Sequence, residues 1–353
     1  MMRLRVTHET RYDYTPAVET AQHLAHLRPI NTLKQQLVSH SLTVDPEPDL
    51  QTETLDVFGN ARTFFSLQIP HQRLTVTSDS VVMTSAPEPP NDSVTQTLWE
   101  HSRDLFRYQA GGAYDSAAEF AFASPFIPRH PDFFDYARPS FPAGAPLLEA
   151  ICLLTERIYT EFTYASQSTE INTPAQEALV LKKGVCQDFS HIMIACLRSM
   201  GLPARYVSGY LLTQPPPGQP RLIGADASHA WVSAYIPGLR ASRRQGLDGR
   251  PSDGLGGGWF DFCPTNNRWG WGTPGEDYVT LALGRDFGDV SPMRGMIHGG
   301  ANHRLRVGVT VQPIDVEQVE AALAQDLAPS SPFPSQTQSQ SQSQSQTQEP
   351  NSP

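Results

Sequence analysis

The sequence has few cysteines, no excess of positive charge and no long apolar run, and each absence excludes a class of protein. Its 353 residues include four cysteines with no CxxC pair, which excludes a small fold stapled by disulfides. The formal net charge of −10 argues against nucleic acid or an anionic membrane as a partner. No apolar stretch is long enough to span a bilayer, and the N-terminus lacks the apolar region of a signal peptide. We therefore expect a cytoplasmic protein with reduced thiols and no membrane partner.

The first 85 residues show the alternation of apolar and polar residues that is typical of β-strands. The segments "RLRVTHETRYDY", "HSLTVDP", "ARTFFSLQIP" and "QRLTVTSDSVVM" share this period and are separated by turn residues. Short antiparallel strands at this spacing predict an N-terminal β-sandwich domain over residues 1–85. The Pro-rich segment "SAPEPPND" cannot continue a sheet. It predicts that residues 86–145 form a linker with short helices.

Residues 146–313 are expected to form a second domain of helices packed on an antiparallel sheet. Apolar residues recur at helical spacing from Leu147 to Phe162, which predicts a helix with one buried face. A second helix is predicted over 186–200, and "ARYVSGYLL", "SHAWVSAYI" and "GWFDFC" predict strands. The fold class is therefore α+β. Residues 314–353 predict a short terminal helix and a disordered Ser/Gln-rich tail.

A cysteine, Cys186, occupies the first turn of the predicted 186–200 helix. A helix N-terminus carries partial positive charge and free N–H groups, so a thiol there tends to ionise and become nucleophilic. The same N–H groups can stabilise the oxyanion that forms on an attacked carbonyl. Cys152 and Cys196 instead lie inside apolar helical patterns, and we interpret them as packing residues.

A thiolate nucleophile needs a histidine base and a group that orients the base. His229 leads the strand "SHAWVSAYI", in which it shares one face with Trp231. The orienting group is expected on a neighbouring strand. In "GWFDFC", the residues Trp259, Asp261 and Cys263 share a face by the same period.

Three segments resemble those of the bacterial transglutaminase-like family, part of the papain-like superfamily. "GVCQDFSHIMIACLRSMGLPARYVSGYL" resembles the family's Cys segment, "SHAWVSAYIPG" its His segment and "GWFDFCPTNN" its third segment. "HETRYDY" and "DVFGN" resemble its N-terminal β domain. The resemblance implies a papain-like core with Cys186 as nucleophile and His229 as base. It implies acyl transfer through a thioester on peptide or protein amide bonds, without a cofactor.

The third segment departs from the family pattern, which usually reads Trp-x-x-Phe-Asp-Pro-Thr-Asn. Cys263 stands where that pattern has Asp, so the orienting carboxylate does not carry over by position. Asp261 lies two residues earlier, displaced by about 6–7 Å of strand rise, and would reach His229 only if the pairing or the side chain adjusted. Loss of this carboxylate slows such enzymes by orders of magnitude without abolishing catalysis.

Five further residues are predicted to surround the site. Asp188 and His191 match the family's Cys segment, and we expect them to be structural residues that pack around the catalytic residues without touching the substrate. Tyr210, Trp231 and Trp259 are expected to line the substrate cleft.

Three alternatives remain open at this point. Hydrolysis and transglutamination fit the same residues, because water exclusion depends on loop geometry, although the resemblance leans towards a protease or amidase. A catalytically weakened module that binds peptides or proteins is the second reading. A zinc site built from Cys186, His229 and Cys263 is the third, but these residues lack the paired short spacing of such sites. The sequence does not indicate an oligomeric state.

Overall fold

Strands from both ends of the chain form the first sheet. The computed structural model describes residues 1–90, 96–110, 115–166, 168–213, 228–239, 258–300 and 302–320. The sheet contains β1 (Met2–Ala25), β2 (Gln35–Asp45), β3 (Leu50–Leu55), β4 (Ala61–Leu67), β5 (His71–Thr84), β13 (Met293–Gly299) and β14 (Asn302–Pro313). Its order is β2-β5-β1-β4-β3, and β13 and β14 also pair with β1. All these pairs are antiparallel.

The 24-residue strand β1 is the centre of this sheet. Its first half pairs with β5 on one side and with β14 on the other. Its second half pairs with β4 and β13. The pairing with β5 shifts register between Asp13 and Val18, and such an irregularity bends a strand. The two halves of β1 therefore pair with different neighbouring strands.

The second domain is predicted to extend to residue 313, and its last two strands, β13 and β14, pair with β1 of the first sheet. Period-2 alternation identifies a strand and its buried face, but it does not identify the partner strand. The α+β class itself is confirmed.

Among the residues that the structure describes, α-helices and a small sheet lie in the sequence between strands of the two large sheets. The helices are α1 (Trp99–Leu105), α2 (Pro131–Ala137), α3 (Leu147–Glu161), α4 (Ala175–Leu181), α5 (Cys186–Ser199) and α6 (Phe287–Val290). A parallel pair, β6 (Thr163–Tyr164) and β7 (Lys183–Gly184), lies just before α5. Trp99 and Phe133, from the region predicted as a linker, are buried in the same core as α3 and α5. That region is therefore part of the second domain rather than a spacer.

The second sheet carries the predicted site residues. It contains β8 (Ala204–Leu211), β9 (Ser228–Ile236), β10 (Gly258–Cys263), β11 (Arg268–Trp271) and β12 (Tyr278–Gly284), in the order β11-β10-β9-β8-β12. One face, with Tyr206, Val232 and Phe262, is buried in the core that contains α5. His229 and Cys263 lie on the opposite face, as strand alternation requires.

Two side-chain amides join the first sheet to β12, an edge strand of the second. Gln35 donates through Nε2 to the carbonyl of Thr280 and accepts through Oε1 from its N–H, both at 2.7 Å. Asn60 does the same at Leu283, at 2.7 and 2.8 Å. The turn that holds Asn60 is the "DVFGN" segment, in which Gly59 has a φ of +85° and the Asp56 carboxylate accepts from the Asn60 side chain at 2.8 Å. Each amide thus makes the two backbone hydrogen bonds that a residue of a neighbouring strand would make.

The end of the described chain is helical at residues 316–320, as the predicted terminal helix requires. Val319 packs there with Val38 and Val81. The predicted Ser/Gln tail at 321–353 lies outside the described residues. Within the ranges that the structure describes, no helix combines the length and apolar character that a membrane crossing needs.

The substitution Asn60→Ala is expected to destabilise the protein by about 1–3 kcal/mol, because it leaves the partly buried N–H and C=O of Leu283 without partners. Urea unfolding followed by circular dichroism measures this loss. Gln51→Ala is the matched control, since Gln51 is an exposed amide in the same sheet. Equal stabilities for the two variants would contradict the role assigned to the Asn60 pairing.

Candidate active site

The start of α5 is fixed by a carboxylate and a glycine. Asp188 Oδ2 accepts a hydrogen bond from the backbone N–H of Val185 at 2.8 Å and one from the Thr169 hydroxyl at 2.7 Å. A side chain at position 184 would place its Cβ 2.6 Å from that oxygen, so only glycine fits there. Together, Gly184 and Asp188 hold Cys186 at the first position of the helix.

The Cys186 thiol is half-buried against the helical core. Burial raises its pKa to about 11, although backbone N–H groups of Ala230 and Gln187 act in the opposite direction on the sulfur. Cys263 and Asp188 raise it further. The sequence predicted a thiol that ionises easily, but desolvation outweighs the helix N-terminus here. The thiol is therefore uncharged at neutral pH.

His229 lies next to Ala230 in β9, so its backbone is beside the sulfur of Cys186. Its ring nitrogen Nε2 is 3.2 Å from Cys263 Sγ, and its ring stacks on Trp231 with 6.2 Å between centroids. Burial lowers the pKa of His229 to about 4, with Asp277 acting in the opposite direction. The imidazole is therefore neutral at pH 7.

Hydrogen-bond donors surround the sulfur of Cys263. The Tyr278 hydroxyl and the backbone N–H groups of Asn266 and Thr265 bond to it, and the Arg268 charge is nearby. These groups favour the thiolate, but burial outweighs them and raises the pKa of Cys263. These donors suit a hydrogen-bond acceptor at position 263, and a carboxylate there would be such an acceptor.

Asn266 and Tyr278 lie beside His229 and were not predicted from the sequence. The Asn266 side-chain amide lies 2.9 Å from the Tyr278 hydroxyl and 3.5 Å from His229 Nε2. Arg268 lies over the Tyr278 ring at 4.9 Å and forms a bidentate pair with Asp277 at 2.6 and 2.7 Å. Asn266 belongs to the "CPTNN" turn that the sequence does display, whereas nothing in the pattern of β12 marks Tyr278.

The structure does not bring Asp261 to His229. Asp261 is paired in register with Ser233, which is four residues beyond His229 in β9. Burial raises the pKa of Asp261 to about 6, while Ser233, Arg205 and Trp231 lower it. Of the two residues considered for the orienting position, Cys263 is the one in contact with the imidazole.

The three predicted cleft residues occupy different places. Trp231 is fully buried beneath His229, and it leaves no room for a Cβ at Gly209, which would lie 2.5 Å from the indole. Tyr210 is buried on the other side of the sheet, with its hydroxyl 3.0 Å from His8 Nδ1, so it does not line the cleft. Trp259 is half-buried, with the Arg205 guanidinium 4.0 Å from its ring centre.

His191 is buried in the core, more than one helical turn after Cys186 in α5. Its Nε2 accepts a hydrogen bond from the backbone N–H of Phe287 at 3.2 Å, and burial lowers its pKa to about 4. Its contacts tie α5 to the start of α6. They are those of a structural residue.

The zinc alternative requires three ligands at one point. Among the described residues, no group of three or more His, Cys, Asp or Glu side chains could hold a metal ion. All four cysteines are free thiols.

Comparison with known proteins supports the reading of both domains. Residues 4–83 match the bacterial transglutaminase-like N-terminal region, and residues 138–263 match the transglutaminase-like superfamily. An uncharacterized protein of Mycobacterium tuberculosis is 40% identical over 327 residues, which cover 90% of this chain and 95% of that protein. An uncharacterized protein of Mycobacterium leprae is 29% identical over 314 residues, which cover 88% and 99%.

A solved structure has the same fold. It is that of a candidate cysteine protease from Cytophaga hutchinsonii, with a TM-score of 0.66 and 19% identity, and the match covers 89% of this chain and 91% of that one. Since the fold, the segment matches and the full-length relatives agree, the chain belongs to the transglutaminase-like superfamily, as a member with a bacterial transglutaminase-like N-terminal region.

Proposed function

We propose that this protein is a cysteine-dependent acyl-transfer enzyme that cleaves amide bonds of peptides or proteins. One observation carries the proposal: Cys186 begins a helix beside the backbone of Ala230, and the adjacent His229 is held through Nε2 by Cys263. A half-buried thiol at a helix N-terminus next to an oriented imidazole is the arrangement that nucleophilic catalysis needs.

The first half-reaction starts from neutral groups. As the sulfur of Cys186 attacks the amide carbon, His229 removes the thiol proton through its other nitrogen, Nδ1. The carbonyl oxygen becomes an oxyanion, which the free N–H groups at the start of α5 stabilise. The imidazolium then returns the proton to the amide nitrogen, the C–N bond breaks, and a thioester and a free amine remain.

In the second half-reaction, His229 removes a proton from water, which attacks the thioester. The products are a carboxylic acid and the regenerated thiol. An amine in place of water would give a new amide, which is transglutamination. We propose hydrolysis as the main reaction, because the resemblance of the three segments leans towards proteases and amidases.

The productive tautomer of His229 carries its proton on Nε2, so that Nδ1 can accept the proton of Cys186. In that tautomer Nε2–H donates to Cys263 Sγ, an atom already placed among donors in an acceptor's environment. A thiol stabilises an imidazolium less than a carboxylate does, so we expect slow turnover.

A catalytically weakened module that binds peptides or proteins is the second candidate. The raised pKa of Cys186 and the missing carboxylate favour it. Both candidates predict a peptide or protein partner, and only the first predicts covalent chemistry at Cys186.

A peptide-based electrophile, such as a peptidyl acyloxymethyl ketone, is expected to modify Cys186 alone at pH 8. The reason is that only Cys186 combines accessibility with a neighbouring base. Intact-mass analysis and peptide mapping measure the modification, and Cys186→Ala should abolish both labelling and peptide hydrolysis. Cys152→Ala is the control, because Cys152 is also half-buried but has its pKa raised to about 12 by burial. Labelling of Cys152 or Cys263 at a comparable rate would argue for the binding module.

The alkylation rate of Cys186 by iodoacetamide is expected to rise steadily from pH 6 to pH 10, because thiolate forms as the pH approaches a pKa of about 11. Cys263→Asp should increase the rate at pH 6–7 on the order of tenfold, since the carboxylate stabilises the imidazolium and each unit of thiol pKa is worth a factor of ten. Stopped time courses at several pH values give both profiles.

The control for this experiment is Cys263→Ala, which removes the thiol without adding a charge. It should show no gain at pH 6–7. If Cys263→Asp reacts no faster than Cys263→Ala at every pH, then position 263 does not orient the base.

A further inference from the structure

A cavity of about 340 Å³ lies on the sheet face that carries His229, farther along the strands. It lies between β8, β10, β11 and β12 of the second sheet and residues 30–33 of the N-terminal region. Most of its wall is apolar, with Leu33, Leu239, Trp259 and Trp271 among the lining residues. Two of its lining residues are charged, Arg205 and Asp261. A cavity of this size holds a small organic molecule.

The two charges belong to one row across three strands. Ser233 in β9 is paired in register with Arg205 in β8 on one side and with Asp261 in β10 on the other. Neighbouring strands lie about 4.8 Å apart, so the Cα atoms of Arg205 and Asp261 are about 10 Å apart. Ser233 itself is fully buried between them, and its hydroxyl lowers the pKa of Asp261. No ion pair joins Arg205 to Asp261 in the part of the chain that the structure describes.

Neither charge is fully compensated by the protein. The Arg205 guanidinium lies flat over Trp259, and its Nε is buried without a hydrogen-bond partner. Asp261 is 6% exposed, and burial raises its pKa to about 6. Burial likewise lowers the pKa of Arg205 to about 10, although Asp261 acts against this shift. Ser233, Trp231 and Arg205 stabilise the Asp261 carboxylate, and Asp261 stabilises Arg205, but burial outweighs these contacts at both groups. A ligand that brings both opposite charges is therefore favoured.

We propose that this cavity is a binding site for a zwitterionic α-amino acid with a large apolar side chain. The ligand carboxylate accepts hydrogen bonds from the Arg205 guanidinium, and the ligand ammonium donates to the Asp261 carboxylate. The apolar side chain packs against Trp259 and Leu33, which line the cavity. A ligand with one charge would leave one of the two protein charges unpaired, and an uncharged ligand would leave both.

The site does not depend on the proposed chemistry at Cys186. Trp231, which is fully buried, lies between the row of Ser233 and the position of His229 along β9. The cavity is therefore separated from the imidazole by a packed side chain, and ligand binding is testable whether or not the protein is an enzyme.

Four probes with the same phenyl ring separate the contributions of the charges. They are L-phenylalanine, phenethylamine, hydrocinnamate and N-acetyl-L-phenylalanine amide. Because Trp259 and Trp271 line the cavity, tryptophan fluorescence follows the titration. L-Phenylalanine is expected to bind with a Kd on the order of 0.1–1 mM, as its size allows, and the other three at least about tenfold more weakly. Equal binding of the uncharged amide would overturn the proposal.

Substitutions then locate the site. Arg205→Gln and Asp261→Asn should each weaken L-phenylalanine binding at least about tenfold while circular dichroism shows an unchanged fold. Trp271→Phe should reduce the fluorescence change, whereas Trp269→Phe, an exposed tryptophan outside the cavity, should not. Cys186→Ala should bind as the natural protein does. Loss of binding in Cys186→Ala, or unchanged binding in both folded charge variants, would refute the assignment.

Discussion

Two side-chain amides pair with one edge strand and, together with a buried apolar cluster that contains residues of both sheets, join the two sheets of this protein. Gln35 and Asn60 each satisfy the N–H and C=O of a residue in β12, which covers an edge that would otherwise be free to pair with another chain. The same pairing sets the position of Tyr278 at the start of β12, which supports Cys263 and, through it, His229. Gln35 also donates to the carbonyl of Ile30, and residues 30–33 form one wall of the cavity. The N-terminal region is therefore part of the architecture of the site rather than an appendage to it.

The candidate catalytic groups form an uncharged set. Burial keeps Cys186 protonated and His229 neutral at pH 7, whereas a carboxylate beside His229 would stabilise an imidazolium and favour an ionised pair. Cys263 occupies the carboxylate's place and retains its ring of donors, from Tyr278, Asn266 and Thr265. The groups around position 263 are thus donors that would suit a carboxylate, and this chain has a thiol there instead. A single substitution separates this chain from the family pattern at the site.

The sequence predicted those features that depend on local chemistry. The start of α5 at Cys186 follows from residues within one turn of it, Gly184 and Asp188, and the shared face of Trp259, Asp261 and Cys263 follows from strand period. Features that depend on distant partners were not predictable. The return of β14 to β1 requires knowledge of which strand pairs with which, and alternation carries no such information. For the same reason the contact of Asn266 with Tyr278, and the register that separates Asp261 from His229, became visible only in the fold.

The central position of β1 has a consequence for biosynthesis. The first half of β1, which precedes the other described strands in the sequence, is completed on one side by β14, which follows them. Until residues 302–313 have been translated, the first half of β1 has a bare edge, and its contacts with β14 span almost the whole chain. Contacts of such high sequence separation slow folding, and a bare strand edge invites pairing with other nascent chains. A chain truncated after the second sheet would therefore contain every strand of that sheet but leave the first half of β1 with a free edge, which can pair with other chains.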